Sequence, residues 1–190
     1  LGLNLTETDF ALAIQKAEDS IIYTTLEATA GSVSLIGVES VEIDGANLAV
    51  NINTADSGEV VVDYSEGATV LSVPTGSGST YSLSLAGDEG VQVSASGALS
   101  VSVASFVIIE GDFAIESKTT LVRVAGASVN KEVNLLSIGA NGVSAFIGNN
   151  ANTDQEVGFA LQNLSFGLGL FNDTASTENW VALSGSADSV

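Results

Sequence analysis

The stretch VGFALQNLSFGLGL, residues 157–170, decides the fold class of this chain. Apolar residues alternate with others on both sides of a polar linker, in the order Phe159, Leu161, Phe166, Leu168 and Leu170. Alternation with a period of two is the signature of half-buried β-strands. The linker QNLS between the two runs contains Asn, a residue expected in turns. The stretch therefore predicts two short strands joined by a turn.

The same pattern recurs three more times along the sequence. The copies have their apolar residues at Leu3/Leu5/Phe10/Leu12/Ile14, at Val41/Ile43/Leu48/Val50/Ile52 and at Phe106/Ile108/Phe113/Ile115. The linkers DGAN and IEGD again carry the Asp, Gly and Asn of turns. A second motif, with a Gly-containing corner between two strands, precedes three of the copies as LEATAGSV, LSLAGDEGV and LLSIGANGV. Self-similarity of this kind indicates a stacked repeat architecture.

A longer repeat contains these motifs. The run YTTLEATAGSV from Tyr23 matches WVALSGSADSV from Trp180, 157 positions later. The run LGLNLTETDFALAI likewise matches VGFALQNLSFGLGL at an offset of 156. We therefore expect residues 1–190 to be one continuous β segment, cut from something longer. It would hold about 1.2 copies of a repeat of roughly 156 residues, with a copy boundary near 157–180.

These repeats favour an elongated β-solenoid, a rod resembling a parallel β-helix. The alternative is a stack of antiparallel hairpins that forms a long curled sheet, because four-residue linkers could also close hairpins. The segment TETDFALAIQKAEDS from Thr6 has the local composition of a helix start. Its aligned copy contains alternating glycines, which disfavour a helix. A strand is therefore predicted there.

The charge and composition exclude several classes of function. Four basic residues stand against 23 acidic ones, for a formal net charge of -19. Nucleic acid and anionic membrane surfaces both need basic patches, so neither is expected as a partner. No apolar run reaches the roughly 18 residues of a membrane span, so membrane insertion is not expected. The absence of Cys and Met is typical of a protein that is extracellular without disulfides.

Catalysis has little support in the sequence. With no His and no Cys, neither a Ser-His-Asp triad nor a cysteine nucleophile can form. Paired carboxylates at Glu110 and Asp112, or at Glu39 and Glu42, are formally able to perform acid–base chemistry. Both pairs occupy or flank the turn-like linkers of the repeat. The sequence therefore predicts no enzyme.

Several runs together carry a resemblance to known proteins. They read GALSVSVASFVIIEGDFAIES, VNLLSIGANGVSAFIG, VGFALQNLSFGLGLFND, WVALSGSADSV, SLIGVESVEIDGANLAVNIN and LSVPTG. These runs resemble the tandem repeat of giant secreted adhesin-like or hemolysin-type proteins of Gram-negative bacteria. The resemblance covers nearly the whole chain. It implies a very long surface or secreted protein that serves as a stalk, fibre or adhesin body.

The resemblance also implies a calcium site. In similar repeats an Asp-rich loop separates the strands that here read AFIG and GFAL. The corresponding slot is NNANTDQE, which places oxygen ligands on alternate residues at Asn150, Asn152, Asp154 and Glu156. This copy lacks the central Gly of such loops and two of its four candidates are neutral amides. The alternative interpretation is a solvated polar loop.

We therefore expect a structural or adhesive segment that forms a stiff fibre or stalk, extracellular or at the cell surface. No cofactor is required, and Ca²⁺ is an optional stiffener. The expected partners are neighbouring copies, joined end to end through edge strands, and surface glycans. The competing hypothesis is a binding module that carries lipid or carbohydrate along an apolar β groove.

Overall fold

The chain folds into β-strands over most of its length. The computed structural model describes residues 2–18, 20–38, 40–56, 60–65, 70–104, 106–126, 128–151 and 153–189. Their strands are β1 Gly2–Lys16, β2 Ile22–Ile36, β3 Val41–Ala55, β4 Leu71–Gly76, β5 Ser79–Leu83, β6 Gln92–Val103, β7 Val107–Val122, β8 Lys131–Asn149, β9 Val157–Asp173 and β10 Asn179–Ser186. A 3₁₀ turn lies at Gly87–Glu89. The all-β prediction is confirmed, as is the strand predicted from Thr6.

Eight of these strands form one sheet. Its order is β1-β2-β3-β6-β7-β8-β9-β10, and β4 pairs with β5 in a separate hairpin. Every strand pair in the described part of the chain is antiparallel. The prediction of a parallel β-solenoid is therefore wrong, and the alternative of antiparallel hairpins in one long sheet is supported. Alternation is the same in both architectures, so it carried no information about strand direction.

The polar linkers lie inside long strands instead of at chain reversals. DGAN falls within β3, IEGD within β7 and QNLS within β9. The turn predictions at these linkers are wrong, because each linker continues a strand. In DGAN and QNLS, Asn47 and Asn163 both have a φ of 52°. Asn tolerates this left-handed conformation, which bends a strand without reversing it. Glu7 in β1 and Gly142 in β8 also have positive φ, so a bend line runs across the sheet.

Close packing at the bend line explains the glycine in IEGD. A Cβ added to Gly111 would lie 2.7 Å from Cγ2 and 2.8 Å from Cα of Val143 on β8. The backbones of β7 and β8 therefore approach too closely there for any larger residue. The pairing of these strands also shifts in register between Glu110 and Asp112.

The hairpin β4–β5 covers one face of the sheet near β1. Ala11, Ala13, Tyr64 and Leu83 form a buried cluster between the hairpin and the sheet, and Val62, Leu71, Val73 and Tyr81 pack around them. Outside this cluster few apolar side chains are fully buried in the described residues. The main sheet is therefore largely a single layer.

Candidate functional surfaces: an uncovered apolar face and two open edges

One face of the sheet is apolar from edge to edge. Residues directly opposite one another on successive strands form rows across a sheet, and all members of a row lie on the same face. The register of the eight strands yields one row made entirely of apolar residues: Phe10, Ala28, Val50, Ala95, Ile115, Ile138, Leu168 and Leu183. The row two residues further along differs by a single Ser: Leu12, Leu26, Ile52, Val93, Ser117, Leu136, Leu170 and Val181. We call this side the apolar face.

The row between these two has the opposite character. It consists of Ala11, Glu27, Asn51, Ser94, Glu116, Ser137, Gly169 and Ala182. Because side chains alternate along a strand, this row lies on the other side of the sheet, the polar face. The sequence alternation of each strand is thus in phase with that of all its neighbours.

The apolar face continues past the bend line. In β9, Leu161 and Phe166 are five residues apart, so regular alternation would place them on opposite faces. The left-handed residue Asn163 between them restores the phase. Beyond the bend, the apolar face carries a further row: Val41, Val103, Val107, Ile147 and Phe159.

Nothing in the described part of the chain covers the apolar face. Phe159 is 82% exposed, Leu183 72% and, near the middle of the sheet, Ile115 44%. The accessible surface of the chain is 11807 Å². A compact monomer of 19.1 kDa exposes only about 8,400 Å². Contiguous apolar surface on this scale marks an interaction site.

A shallow groove follows the apolar face along the bend line. Its walls include Leu48, Val50, Leu99, Phe113 and Ile115. Apolar side chains from β3, β6 and β7 therefore line the groove, and no charged residue that the structure describes is among its walls. An acyl chain or another apolar side chain would fit this chemistry.

The polar face under the β4–β5 hairpin holds a hydrogen-bonded network. Thr25 donates a 3.1 Å bond to Oδ1 of Asn53, and the amide of Asn53 donates a 2.9 Å bond to the carbonyl of Val62. The carboxylate of Glu27 accepts bonds from the backbone N–H groups of Ser84 and Leu85, at 2.5 and 2.9 Å. Glu27 also helps raise the pKa of Tyr81, for which burial is the larger cause. Strands β2 and β3 and the covering segment are thus held together by polar contacts.

Two lysines hold acidic residues on the polar face. Lys118 lies 3.2 Å from Glu89 and 3.4 Å from Glu116. Its hydrogen bond with Glu89, followed by the charge of Glu116, raises the pKa of Lys118. Lys131 pairs with Asp173 and Glu178, and its hydrogen bond chiefly accounts for the lowered pKa of Asp173.

The side chain of Lys131 also lies over the ring of Trp180, with Nζ 5.3 Å from the ring centroid. This cation–π contact and the carboxylates together tie the start of β8 to the hairpin β9–β10. No signal in the sequence indicated the contact, because it depends on strand order.

The predicted calcium ligands lie in the turn between β8 and β9. Asn150, Asp154 and Glu156 are exposed there, and Asn152 lies outside the described residues. The carbonyl of Asn150 accepts bonds from the backbone N–H and hydroxyl of Thr153, and its side-chain amide donates to the carbonyl of Gln155. Among the residues that the structure describes, no three His, Cys, Asp or Glu side chains gather as a metal-binding group. The calcium site stays a prediction.

Three of the four carboxylates considered for catalysis lie on the polar face. Glu110 lies opposite Ser100 and Ser144, and Asp112 lies opposite Ala98 and Asn141. Glu42 lies opposite Ser102, and Glu39 lies outside the described residues.

The edges of the sheet are formed by the two hairpins that match in sequence. β1–β2 lies at one edge and β9–β10 at the other. Among the described residues, no strand pairs with the outer edge of either β1 or β10. β10 has no charged residue. Charged residues are a common means of protecting an edge from further pairing.

Comparison with protein-family models, curated proteins and solved structures finds no match for the chain. Within the described residues, no helix has the length and hydropathy that a membrane crossing requires.

Proposed function

We propose that this chain is a structural segment of an extracellular or cell-surface repeat protein, in which neighbouring copies join end to end into a stiff fibre or stalk. The observation that carries the proposal is that the two sequence-matched hairpins form the two open edges of the sheet. Because the hairpins β1–β2 and β9–β10 are equivalent, the strands of the next copy can extend the same sheet beyond β10. The net charge of -19 would keep such a long β assembly soluble through self-repulsion.

The proposal assigns no catalytic role to the chain. His and Cys are absent from the sequence, and Glu42, Glu110 and Asp112 are exposed. Adhesion to surface glycans would be a property of the assembled fibre, and Ca²⁺ would bind in the turns.

The fibre proposal is tested by joining one, two, three and four copies of the repeat and measuring particle length by electron microscopy. We expect length to increase by a constant increment with each copy. The matched control is the same set of copies joined through flexible Gly/Ser linkers, which should give separate beads of variable spacing. Lengths that do not differ between the two sets would reject the fibre.

The calcium part of the proposal needs its own measurement. The four-copy protein is examined with Ca²⁺ and with a chelator, alongside Asp154→Asn and Glu156→Gln. A calcium-dependent rise in the melting temperature that both substitutions remove would support ligands in the β8–β9 turn. An equal response in the substituted proteins would exclude this turn.

The uncovered apolar face favours a second candidate, a module that carries lipid along the sheet. The apolar row spans all eight strands, and the groove along the bend line could hold acyl chains. Mass spectrometry of solvent extracts of the purified chain would detect such cargo. Ile115→Asp should abolish lipid recovery, whereas Ser94→Asp on the polar face should not. Absence of lipid from the unsubstituted protein would reject the carrier.

A further inference from the structure

The two edge hairpins share one register. In the first hairpin Leu12 lies opposite Leu26, and in the last Leu168 lies opposite Leu183. The sequence offsets of 156 for the first strand and 157 for the second convert one pair into the other. The same conversion holds for Ile14 with Thr24, which becomes Leu170 with Val181.

The equivalence extends to the bend line. Glu7 and Asn163 are 156 positions apart, and their φ angles are 49° and 52°. Just beside them, the hydroxyl groups of Thr6 and Ser32 lie 2.7 Å apart. The equivalent residues, Gln162 and Ser189, form a bridge and a 3.3 Å side-chain hydrogen bond. The hairpins therefore match in pairing, in backbone conformation and in a cross-strand contact.

We infer that β10 binds, along its outer edge, the strand equivalent to β3 in the following copy. This inference rests on the proposed function, and it adds the identity and register of the strand. In the first hairpin the outer neighbour of β2 is β3, with Leu26 opposite Ile52. Because β10 is equivalent to β2, Leu183 lies opposite Ile52 of the following copy. By the same logic, β1 receives the strand equivalent to β8 of the preceding copy.

The side chains of β10 fit this neighbour. Leu183 lies in one apolar row, which Ile52 of the next copy would continue; Val181, in the other row, would face Thr54, and Gly185 would face Val50. β10 also lacks the charged residues that would oppose pairing. The apolar face then becomes a continuous surface along the fibre.

The other face of the last hairpin has room for the next copy's β4–β5 hairpin. Under the present β4–β5 hairpin lie Ala11, Ala13 and Thr25. Their equivalents are Gly167, Gly169 and Ala182, which are equal or smaller in size. A Cβ added to Gly167 would meet nothing within 4 Å. A covering hairpin would therefore find free space over Gly167, whereas over Gly169 it would have to displace the ring of Phe171, which lies 2.8 Å from an added Cβ.

The junction fixes the dimensions of the fibre. β1 and β2 are equivalent to β9 and β10, so each copy adds six strands to the sheet. At about 4.8 Å between neighbouring strands, the sheet grows by about 29 Å per copy.

The test is a two-copy protein, residues 2–189 followed directly by residues 33–189. Leu183 of the first copy and Ile52 of the second copy are changed to Cys. The chain has no Cys of its own. Directly opposite residues have Cβ atoms about 4.5–5.5 Å apart and diagonal ones 7–8 Å apart. Disulfides need about 3.5–4.5 Å, so only the directly opposite pair should cross-link well.

We expect Leu183→Cys with Ile52→Cys of the second copy to cross-link as completely as Leu26→Cys with Ile52→Cys within one copy. Leu183→Cys with Thr54→Cys of the second copy should yield less than a tenth of that. Equal yields at both positions, or no cross-link while the single-copy control forms, would overturn the inference.

Failure of the junction and failure of the fibre give different results. Particles that lengthen by a constant increment without this cross-link would leave the fibre intact and reject the β3 junction. A cross-link without linear growth beyond two copies would support the junction and reject the fibre.

Discussion

The two faces of β1–β3 differ in a way that reverses the usual order of a protein interior. On the polar face, under β4–β5, Thr25 and Asn53 are completely buried and Glu27 is nearly so. On the apolar face of the same strands, Phe10 is 60% exposed and Ile14 67%. Polar groups are therefore enclosed while large apolar groups face solvent.

This contrast indicates that the isolated chain is an incomplete unit. Each buried polar group has a hydrogen-bonding partner, so the enclosed side is specific and self-sufficient. The apolar side gains its stabilisation only when another layer covers it, because a sheet that is apolar on one face needs a partner. The proposed end-to-end junction lengthens the apolar face without covering it, so a covering layer would have to come from a ligand or a second fibre.

The largest expected effect comes from truncating a buried leucine of the β4–β5 hairpin. Leu83 is 2% exposed, and Leu83→Ala should lower the free energy of unfolding by about 2–5 kcal/mol through lost burial and a residual cavity. Leu183→Ala, on the apolar face, is the matched control. It should change stability by less than about 0.5 kcal/mol in the single copy. Urea unfolding monitored by circular dichroism measures both.

Similar losses for the two leucines would mean that the apolar face is already covered in the isolated chain. The contrast between the faces would then disappear.

A second effect concerns the buried carboxylate. Glu27→Ala leaves the N–H groups of Ser84 and Leu85 without their acceptor. We expect a loss of about 1–3 kcal/mol, with the β4–β5 hairpin exchanging its amide protons first. Glu110→Ala, on the exposed part of the polar face, should cost less than about 0.5 kcal/mol. Hydrogen exchange in which β4–β5 stays protected in Glu27→Ala would contradict this role.

A third, smaller effect tests the bend line, on which the continuity of the apolar face depends. Asn47 has a φ of 52° and is exposed. Asn47→Val should cost about 1–2 kcal/mol, because a left-handed conformation is unfavourable for side chains branched at Cβ. Asn47→Gly should be neutral or slightly stabilising. Equal costs for the two substitutions, measured by thermal unfolding, would show that the bend does not depend on this residue's backbone conformation.

Local sequence patterns were sufficient for the strands but not for their arrangement. Alternation at Leu168 and Leu170 identifies a strand in either a solenoid or an antiparallel sheet, since both bury every second residue. The linker around Asn163 has turn composition because left-handed residues serve both turns and bends. The repeat offsets of 156 and 157 predict that the two edge hairpins have the same register. Only the strand order of the structure shows that these two hairpins lie at opposite edges of the sheet. The burial of Glu27 under the segment after β5 could not be predicted from local sequence, because its hydrogen-bond donors lie 57 and 58 residues away.

The smallest expected effect compares the two edge hairpins at low pH. Asp173 pairs with Lys131 at the end of β9, whereas the equivalent position in the first hairpin is Ala17. The hydrogen bond from Lys131 lowers the pKa of Asp173, with a further contribution from the backbone N–H of Ala175. A lowered pKa in the folded state stabilises the fold above the unfolded value of about 3.9. That contribution is lost as the pH falls through the folded pKa.

Asp173→Asn should therefore be less stable than the unsubstituted chain at pH 7, and the two should converge as the pH falls below about 4. Asp154→Asn changes the net charge by the same amount in the exposed β8–β9 turn and controls for overall self-repulsion. Unfolding midpoints between pH 7 and pH 2 measure the difference. If both substitutions gave the same pH profile, the change in stability would come from net charge. The Lys131–Asp173 ion pair would then not stabilise the last hairpin relative to the first. If only Asp173→Asn converged, the hairpins would share a register and differ in how their ends are held.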